Sequence, residues 1–156
     1  MTDRKSAKHL IIGGGIIGCS IAYHLAKSGE TDIVLLERAN LTEGATWHAA
    51  GLVGQLRSSR NTTRMLKKSV EMYDKLQNEE GFQFDWKKTG SLRLASSNER
   101  LLEAKRLATM ARSFDLEMLI ISPQEAKELF PLIEENGLHG AAFIPSDGYV
   151  DPSALC

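Results

Sequence analysis

The chain has 156 residues, which is enough for one modest domain with an apolar core of its own. Its 19 basic and 20 acidic side chains give a formal net charge of −1, so the sequence predicts no attraction to nucleic acid or to an anionic membrane. Two cysteines far apart define neither a disulfide framework nor a metal site, and His139 has no neighbours spaced as metal ligands, so we expect no metal site.

The N-terminus carries no recognisable targeting segment. Its first apolar run, Leu10–Gly18, is short and rich in glycine, which excludes a signal h-region and a membrane span. Only a short polar stretch precedes that run, so we expect no mitochondrial transit peptide in the sequence as given. We therefore expect a cytoplasmic protein, with the mitochondrial matrix as the alternative if a presequence is missing.

The first elements predict a βαβ unit over about residues 8–54. Lys8–Ile12 is a β-rich run that ends at a glycine cluster, as a buried parallel strand does. Apolar residues then recur at helical spacing from Ile16, and Gly29 follows the helix as its C′ residue. Asp32–Leu36 is a second β-branched run, which completes strand, helix and parallel strand.

The rest of the chain alternates helices and strands. Periodicity and a capping box predict helices over Asn61–Gln77, about Leu101–Ala111, and Ser122 to near Pro131. Strands are predicted at Phe82–Trp86, Ser91–Ala95, Glu117–Ile121 and His139–Ile144. We expect an α/β fold, with a Rossmann-like βαβ unit and parallel sheet followed by the start of an α+β substrate-domain region.

The last residues bear on domain organisation. Asp151-Pro152 is typical of a helix cap, yet the sequence ends four residues after Pro152. A single helical turn cannot bury its apolar face. We therefore expect residues 1–156 to be the N-terminal portion of a longer protein, and thus an incomplete domain.

The glycine cluster has the spacing of a dinucleotide-binding loop. Gly13, Gly15 and Gly18 fit G-x-G-x-x-G, in which the glycines allow a tight turn, close approach to a pyrophosphate and close helix packing. The amides of Ile16 and Ile17 then lie in the first helical turn, where unpaired N–H groups favour phosphate.

An acidic residue follows at the expected separation. Glu37 ends the second strand 19 positions after Gly18, where a carboxylate accepts both ribose hydroxyls and repels a 2′-phosphate. The alternative is a plain βαβ unit with Glu37 solvated at a strand end. Arg38 either lies against the adenine or faces water.

A second small-residue segment favours FAD over NAD. Small side chains after the second strand let the backbone wrap a long cofactor, and the Thr46 hydroxyl can donate to the pyrophosphate. The residues of this segment that we expect to contact cofactor are Gly44, Ala45, Thr46, Trp47, His48, Gly51 and Leu52.

Longer strings carry a family resemblance. LIIGGGIIGCSIAYHLAKSG, DIVLLER and LTEGATWHAAGLVGQLR resemble the dimethylglycine dehydrogenase and sarcosine dehydrogenase family, which are FAD-dependent oxidoreductases of the D-amino-acid-oxidase type. The similarity continues through GSLRLASSNERLLEAKR, ISPQEAKELFPL and IPSDGYVDP, and so covers nearly the whole chain.

The resemblance implies a cofactor and a reaction. It implies FAD attached covalently through His48, and oxidative demethylation of an N-methyl amine of the glycine series, sarcosine or dimethylglycine. Electrons would leave to an acceptor, and tetrahydrofolate would bind in a C-terminal domain that this sequence lacks. No catalytic residue is identifiable in these positions, so we expect the chain alone to bind FAD weakly and to be inactive.

Two alternatives stay open. One is a related FAD-dependent oxidase that acts on another amine or amino acid and uses oxygen. The other is a non-catalytic homologue, since the family's fold also serves as a regulatory subunit of a mitochondrial phosphatase; the intact TWHAAG string argues against it. His9 and His24 are expected to be structural. Asp147 and Asp151 are expected to be a turn residue and a helix N-cap.

Overall fold

The computed structural model describes residues 6–156, which divide into two compact units. The first unit contains the described residues up to Gly51, together with Gln83–Asp85 and Val150–Cys156. The second consists of Leu52–Phe82 and Trp86–Tyr149. The predicted βαβ span of about 8–54 therefore runs a few residues past the first unit.

The first unit is built on the predicted βαβ motif. Strand β1 (His9–Ile12) leads through helix α1 (Ile16–Lys27) to strand β2 (Ile33–Leu36), and the two strands pair in parallel. Helix α1 ends as predicted, because Gly29 at φ +93° lets its N–H reach the Ala26 carbonyl while the next N–H reaches Leu25. The mixed α/β class with parallel strands is confirmed.

The second unit contains the remaining eight elements of the described chain. In order they are β3 (Leu52–Val53), α2 (Arg60–Asn78), β4 (Ser91–Ala95), α3 (Asn98–Arg112), β5 (Leu119–Ile121), α4 (Pro123–Leu129), β6 (Gly140–Ile144) and β7 (Gly148–Tyr149). Strand β6 lies between β4 and β5 in an antiparallel sheet, and β3 pairs with β7. This arrangement is consistent with the predicted α+β region.

Alanine-rich contacts form the core of the second unit. Helix α3 buries Ala104, Ala108 and Ala111 in one cluster with Ala142 and Ile144 of β6. Small side chains on both surfaces let the helix approach the sheet closely. A second cluster joins Ala126 of α4 to β6 through Ala141.

One predicted strand, Phe82–Trp86, is wrong. Asp85 has φ +57°, a left-handed conformation that interrupts extended backbone. The side-chain amide of Gln77 accepts from Trp86 N at 2.8 Å and donates to Trp86 O at 3.0 Å, so it occupies both groups that a neighbouring strand would use. The short strands β3 and β7 were not predicted, since two residues are too few for periodicity to register.

The end of the chain forms a turn instead of a helix. Asp151 Oδ1 nevertheless accepts from the amides of Ser153 and Ala154, at 2.8 and 3.1 Å, as an N-cap does. Within residues 6–156, no helix is both long and apolar enough to cross a membrane.

Candidate functional site

The glycine loop connects β1 to α1 with very close backbone packing. A Cβ built on Gly18 would lie 1.9 Å from the Gly13 carbonyl oxygen, so only glycine fits there. Gly14 and Gly15 are nearly as confined, by the Leu41 side chain and by Thr46 Oγ1 respectively. The loop thus has the geometry that lets a helix N-terminus approach a phosphate.

Glu37 is fixed against this loop. Its carboxylate accepts from the Gly14 amide at 2.7 Å and from the amides of Arg38 and Ala39 at 2.7 and 3.1 Å. The Gly14 hydrogen bond is the largest cause that holds the Glu37 pKa below its ordinary value, followed by that from Ala39. Glu37 is therefore an ionised acceptor beside the loop, as a ribose contact requires.

The second small-residue segment reaches the same helix end. Thr46 Oγ1 accepts from the Ile16 amide at 3.1 Å, which satisfies one N–H of the first turn of α1. The Ile17 side chain is 75% exposed, so this end of α1 is open. Two segments 30 positions apart in sequence meet at the predicted phosphate position.

His48 has a defined orientation. Its Nδ1 lies 3.0 Å from the Gly44 carbonyl oxygen, and its ring packs on Trp47 at a centroid distance of 4.2 Å. A carbonyl only accepts, so Nδ1 carries the proton, and in the neutral ring Nε2 keeps a lone pair. Both rings are exposed. His48 therefore presents a nucleophilic nitrogen at the surface of the first unit.

The other predicted contact residues are less closely placed. Arg38 and Ala45 are exposed. The Gly51 carbonyl accepts from the Val150 amide at 2.9 Å, which fixes the end of the segment. Leu52 is 80% exposed and begins β3 in the second unit.

Three residues beside the loop were not singled out from the sequence. The Thr42 amide donates to the Gly14 carbonyl at 2.9 Å, Leu41 lies against Gly14, and Cys19 Sγ contacts the same carbonyl at 3.7 Å. No motif in the sequence marks the first two, since their role follows from the path of the chain after β2. The only feature of the sequence that points to Cys19 is its position directly after Gly18 of the glycine loop.

Asp147, expected to be a turn residue, has a larger structural role. Its carboxylate is 1% exposed and accepts from Gln55 N, Gln55 Nε2 and Ser91 Oγ, at 3.0, 3.1 and 2.6 Å. These contacts join three parts of the second unit. No group of side chains in residues 6–156 has the composition of a metal site.

Comparison with known proteins agrees with this geometry. The family model described as FAD dependent oxidoreductase matches residues 8–156. Over 97% of its length the chain is 41% identical to the mitochondrial sarcosine dehydrogenase of Mus musculus, and likewise 41% identical to the mitochondrial dimethylglycine dehydrogenase of Rattus norvegicus. It is also 40% identical, over 92% of its length, to the mitochondrial pyruvate dehydrogenase phosphatase regulatory subunit of Mus musculus.

The fold of the chain is also similar to that of a solved structure. L-proline dehydrogenase from P. horikoshii superimposes with a TM-score of 0.88 and 33% identity, covering 96% of this chain and 40% of that one. The chain spans only 17% of the sarcosine dehydrogenase, 18% of the dimethylglycine dehydrogenase and 16% of the regulatory subunit.

Proposed function

Because the chain belongs to the FAD-dependent oxidoreductase family, we propose that its first unit binds the adenosine diphosphate half of FAD. The observation that carries this proposal is the Glu37 carboxylate, held on the Gly14 amide at 2.7 Å beside the glycine loop. Among the described contacts, Oε1 accepts from the amides of Arg38 and Ala39, whereas Oε2 accepts only from Gly14 and keeps one lone pair, so a ribose hydroxyl can donate to Oε2. Its negative charge disfavours a 2′-phosphate.

The pyrophosphate would lie at the N-terminus of α1. The amides of Ile16 and Ile17 and the positive end of the helix favour an anion there. Thr46 Oγ1 now accepts from Ile16, and a hydroxyl is equally able to donate. With FAD bound, the Ile16 amide and the Thr46 hydroxyl would both be able to donate hydrogen bonds to the pyrophosphate.

His48 would attach the flavin covalently. The Gly44 carbonyl fixes the proton on Nδ1, which leaves the Nε2 lone pair for a bond to the 8α-methyl carbon of the flavin. That bond would replace one C–H bond: the proton would be lost to solvent, and the two electrons would enter the oxidised flavin ring and leave to its acceptor. Packing on Trp47 limits the rotation of the imidazole, so the nucleophile is oriented before the cofactor arrives. The other residues that we expect to contact the cofactor in this part of the sequence are Gly44, Ala45, Gly51 and Leu52.

The whole protein would oxidise an N-methyl amine of the glycine series. Bound flavin supplies a two-electron acceptor, and the chain supplies its binding and orientation. The named dehydrogenases favour sarcosine or dimethylglycine as substrate, with electrons passed to a further acceptor. Tetrahydrofolate would bind outside residues 1–156. Both dehydrogenases are named as mitochondrial, which favours the mitochondrial matrix over the cytoplasm as the location of the whole protein.

A non-catalytic regulatory role is the second candidate. Identity of 40% to a phosphatase regulatory subunit is close to the 41% shared with the dehydrogenases, so overall similarity does not separate the two functions. The orientation of His48 favours the flavoenzyme. A regulatory protein does not need a histidine whose Nε2 is left free to react with a cofactor.

Retention of flavin after denaturation tests the proposal. We expect the full-length protein, denatured in acid and washed, to keep its yellow colour on the polypeptide, and His48→Ala to release it. His24→Ala is the matched control, because His24 is exposed on α1 and contacts only Tyr23 among the ring systems described. Free flavin from the unaltered protein would disprove covalent attachment.

Substrate-dependent bleaching of the flavin separates the remaining alternatives. Sarcosine or dimethylglycine should reduce the bound flavin without oxygen, while a regulatory homologue leaves its absorbance unchanged. Faster bleaching by another amine or amino acid would identify the related oxidase instead. The 156-residue chain alone should bind FAD weakly and reduce no dye with either amine.

A further inference from the structure

Two cysteines from distant parts of the sequence meet in the first unit. Cys19 lies in helix α1, and Cys156 ends Val150–Cys156, the segment that returns to this unit. Both thiols are free and half-buried. Because they lie so far apart in the sequence, only the folded chain brings them together.

Both cysteines are connected to the glycine loop by hydrogen bonds. Cys19 Sγ lies 3.7 Å from the Gly14 carbonyl oxygen, which also accepts from the Thr42 amide at 2.9 Å. The Thr42 hydroxyl reaches Ser153 Oγ at 3.4 Å, and the Ser153 carbonyl accepts from the Cys156 amide at 3.3 Å. A continuous path of contacts therefore runs from Cys19 through the loop to Cys156.

The two thiols also interact with each other. Burial, then the charge of Cys19 and then a hydrogen bond with the Cys19 thiol together raise the pKa of the Cys156 thiol to about 11. The charge and the hydrogen bond require the two side chains to be neighbours. A raised pKa keeps Cys156 protonated at neutral pH, and a protonated thiol is a poor nucleophile, so Cys19 is the thiol that reacts first with an oxidant.

We propose that Cys19 and Cys156 are a redox-modification site, at which hydrogen peroxide converts the two thiols to a reversible disulfide. The Cys19 thiolate attacks one peroxide oxygen and the O–O bond breaks, which leaves a sulfenic acid on Cys19, while the other oxygen departs with the Cys19 proton as water. The Cys156 sulfur then attacks the Cys19 sulfur, the S–OH bond breaks, and the hydroxide takes the Cys156 proton and leaves as water. The thiols lose two electrons and two protons, and the peroxide is reduced to water.

The disulfide would fasten the segment Val150–Cys156 to helix α1 beside the glycine loop. In the reduced protein, single hydrogen bonds such as those of Thr42 with Ser153 and of Gly51 with Val150 hold this segment. Hydrogen bonds near the surface open locally, whereas a covalent bond does not. Oxidation should therefore restrict local opening of the segment, and it does so whether or not FAD is bound, so the inference is independent of the proposed function.

Peptide mapping of the full-length protein tests the pair. After brief treatment with hydrogen peroxide, we expect a peptide linked through Cys19 and Cys156, which dithiothreitol separates. Cys19→Ser and Cys156→Ser should each abolish it, and Cys19 of the Cys156→Ser protein should proceed to the sulfinic acid because its partner thiol is missing. Cys19→Ser combined with Ser28→Cys is the matched control, since it moves the thiol to the other end of α1, where it should give no link.

The same treatment in urea separates proximity in the fold from chance encounter. Unfolding moves the two thiols apart, so the ratio of linked peptide to sulfinic acid at Cys19 should fall by about tenfold or more. Amide hydrogen exchange of Val150–Cys156 in the folded protein should slow on oxidation and recover with dithiothreitol. Sulfinic acid at Cys19 without a linked peptide, a link formed equally well in urea or from the displaced thiol, or exchange that oxidation leaves unchanged would overturn the proposal.

Discussion

At the scale of single residues, the closest packing in the candidate site is at Gly18. Alanine normally stabilises a helix relative to glycine by about 1 kcal/mol. Here the added Cβ would lie 1.9 Å from the Gly13 carbonyl oxygen, so α1 must move away from β1. We expect Gly18→Ala to lower the free energy of unfolding by about 1–3 kcal/mol and to weaken FAD binding, as measured by urea unfolding and flavin titration.

Gly44→Ala is the matched control for this substitution. Its added Cβ meets no atom within 4 Å, and its carbonyl remains available to His48. Stability should therefore stay within about 0.5 kcal/mol of the unaltered protein. A Gly18→Ala protein as stable as Gly44→Ala would contradict the steric account of the loop.

Glu37 gives the loop a dependence on pH. Its folded pKa lies below the ordinary value of 4.5, chiefly because the Gly14 amide donates to the carboxylate. A depressed pKa stabilises the folded state above the unfolded pKa, and that contribution is lost as pH falls through the lower folded value. The melting temperature of Glu37→Gln should thus differ most from that of the unaltered protein at neutral pH, with the gap closing below 4.5.

The measurement is a series of thermal melts between neutral and acid pH. Glu43→Gln is the control, because Glu43 is exposed and its carboxylate hydrogen-bonds only the Asn40 side chain among the described contacts. A gap between Glu37→Gln and the unaltered protein that stays constant with pH would show that the ionised carboxylate does not hold the loop.

The residues of the candidate site were partly predictable from the sequence. The spacing of Gly13, Gly15 and Gly18 specifies a backbone shape, and the structure has that shape. The hydrogen bond between Ile16 and Thr46 was not predictable, because it depends on how an irregular segment folds back over 30 positions.

At the scale of helices and strands, sequence patterns predicted correctly those elements that interactions between neighbouring residues determine. The capping box at Ser122 is present with both of its reciprocal hydrogen bonds, and the periodicity over about Leu101–Ala111 corresponds to helix α3. The predicted strand Phe82–Trp86 does not form, because the Gln77 side chain hydrogen-bonds both the N–H and the carbonyl of Trp86. Apolar composition suits a strand, but composition does not reveal such a competing partner.

The short helix α4 depends on its cap. With only seven residues it gains little from helix propagation, and the Ser122 side chain satisfies the Glu125 amide at 3.2 Å. We expect Ser122→Ala to cost about 1 kcal/mol in the free energy of unfolding, as measured by urea denaturation. Ser96→Ala, at an exposed bend, should cost much less. Equal stabilities of the two variants would argue against the capping account.

At the scale of the whole molecule, the second unit is held together by contacts between distant parts of the sequence. Asp147 reaches Gln55 across 92 positions and Ser91 across 56. Such contacts arise only once the antiparallel sheet has formed, so periodicity in the sequence does not register them. The SDGYVDP string predicted a turn at Asp147. In the structure the buried Asp147 carboxylate hydrogen-bonds Gln55, which follows β3, and Ser91 of β4.

Replacing Asp147 should therefore damage the second unit severely. Asp147→Ala leaves the Gln55 backbone amide and the Ser91 hydroxyl without their acceptor, while Gln55 Nε2 keeps its hydrogen bond to Ser146 Oγ, and Gln55 is only 3% exposed. A buried unsatisfied polar group costs about 1–3 kcal/mol, so we expect a loss of about 3 kcal/mol or more in urea unfolding. Asp147→Asn should lose less, because its amide oxygen still accepts from Gln55.

Asp151→Ala is the control, since that carboxylate is exposed and water replaces it at the two amides that it caps. If Asp147→Ala unfolded no earlier than Asp151→Ala, the buried carboxylate would not be what joins these segments.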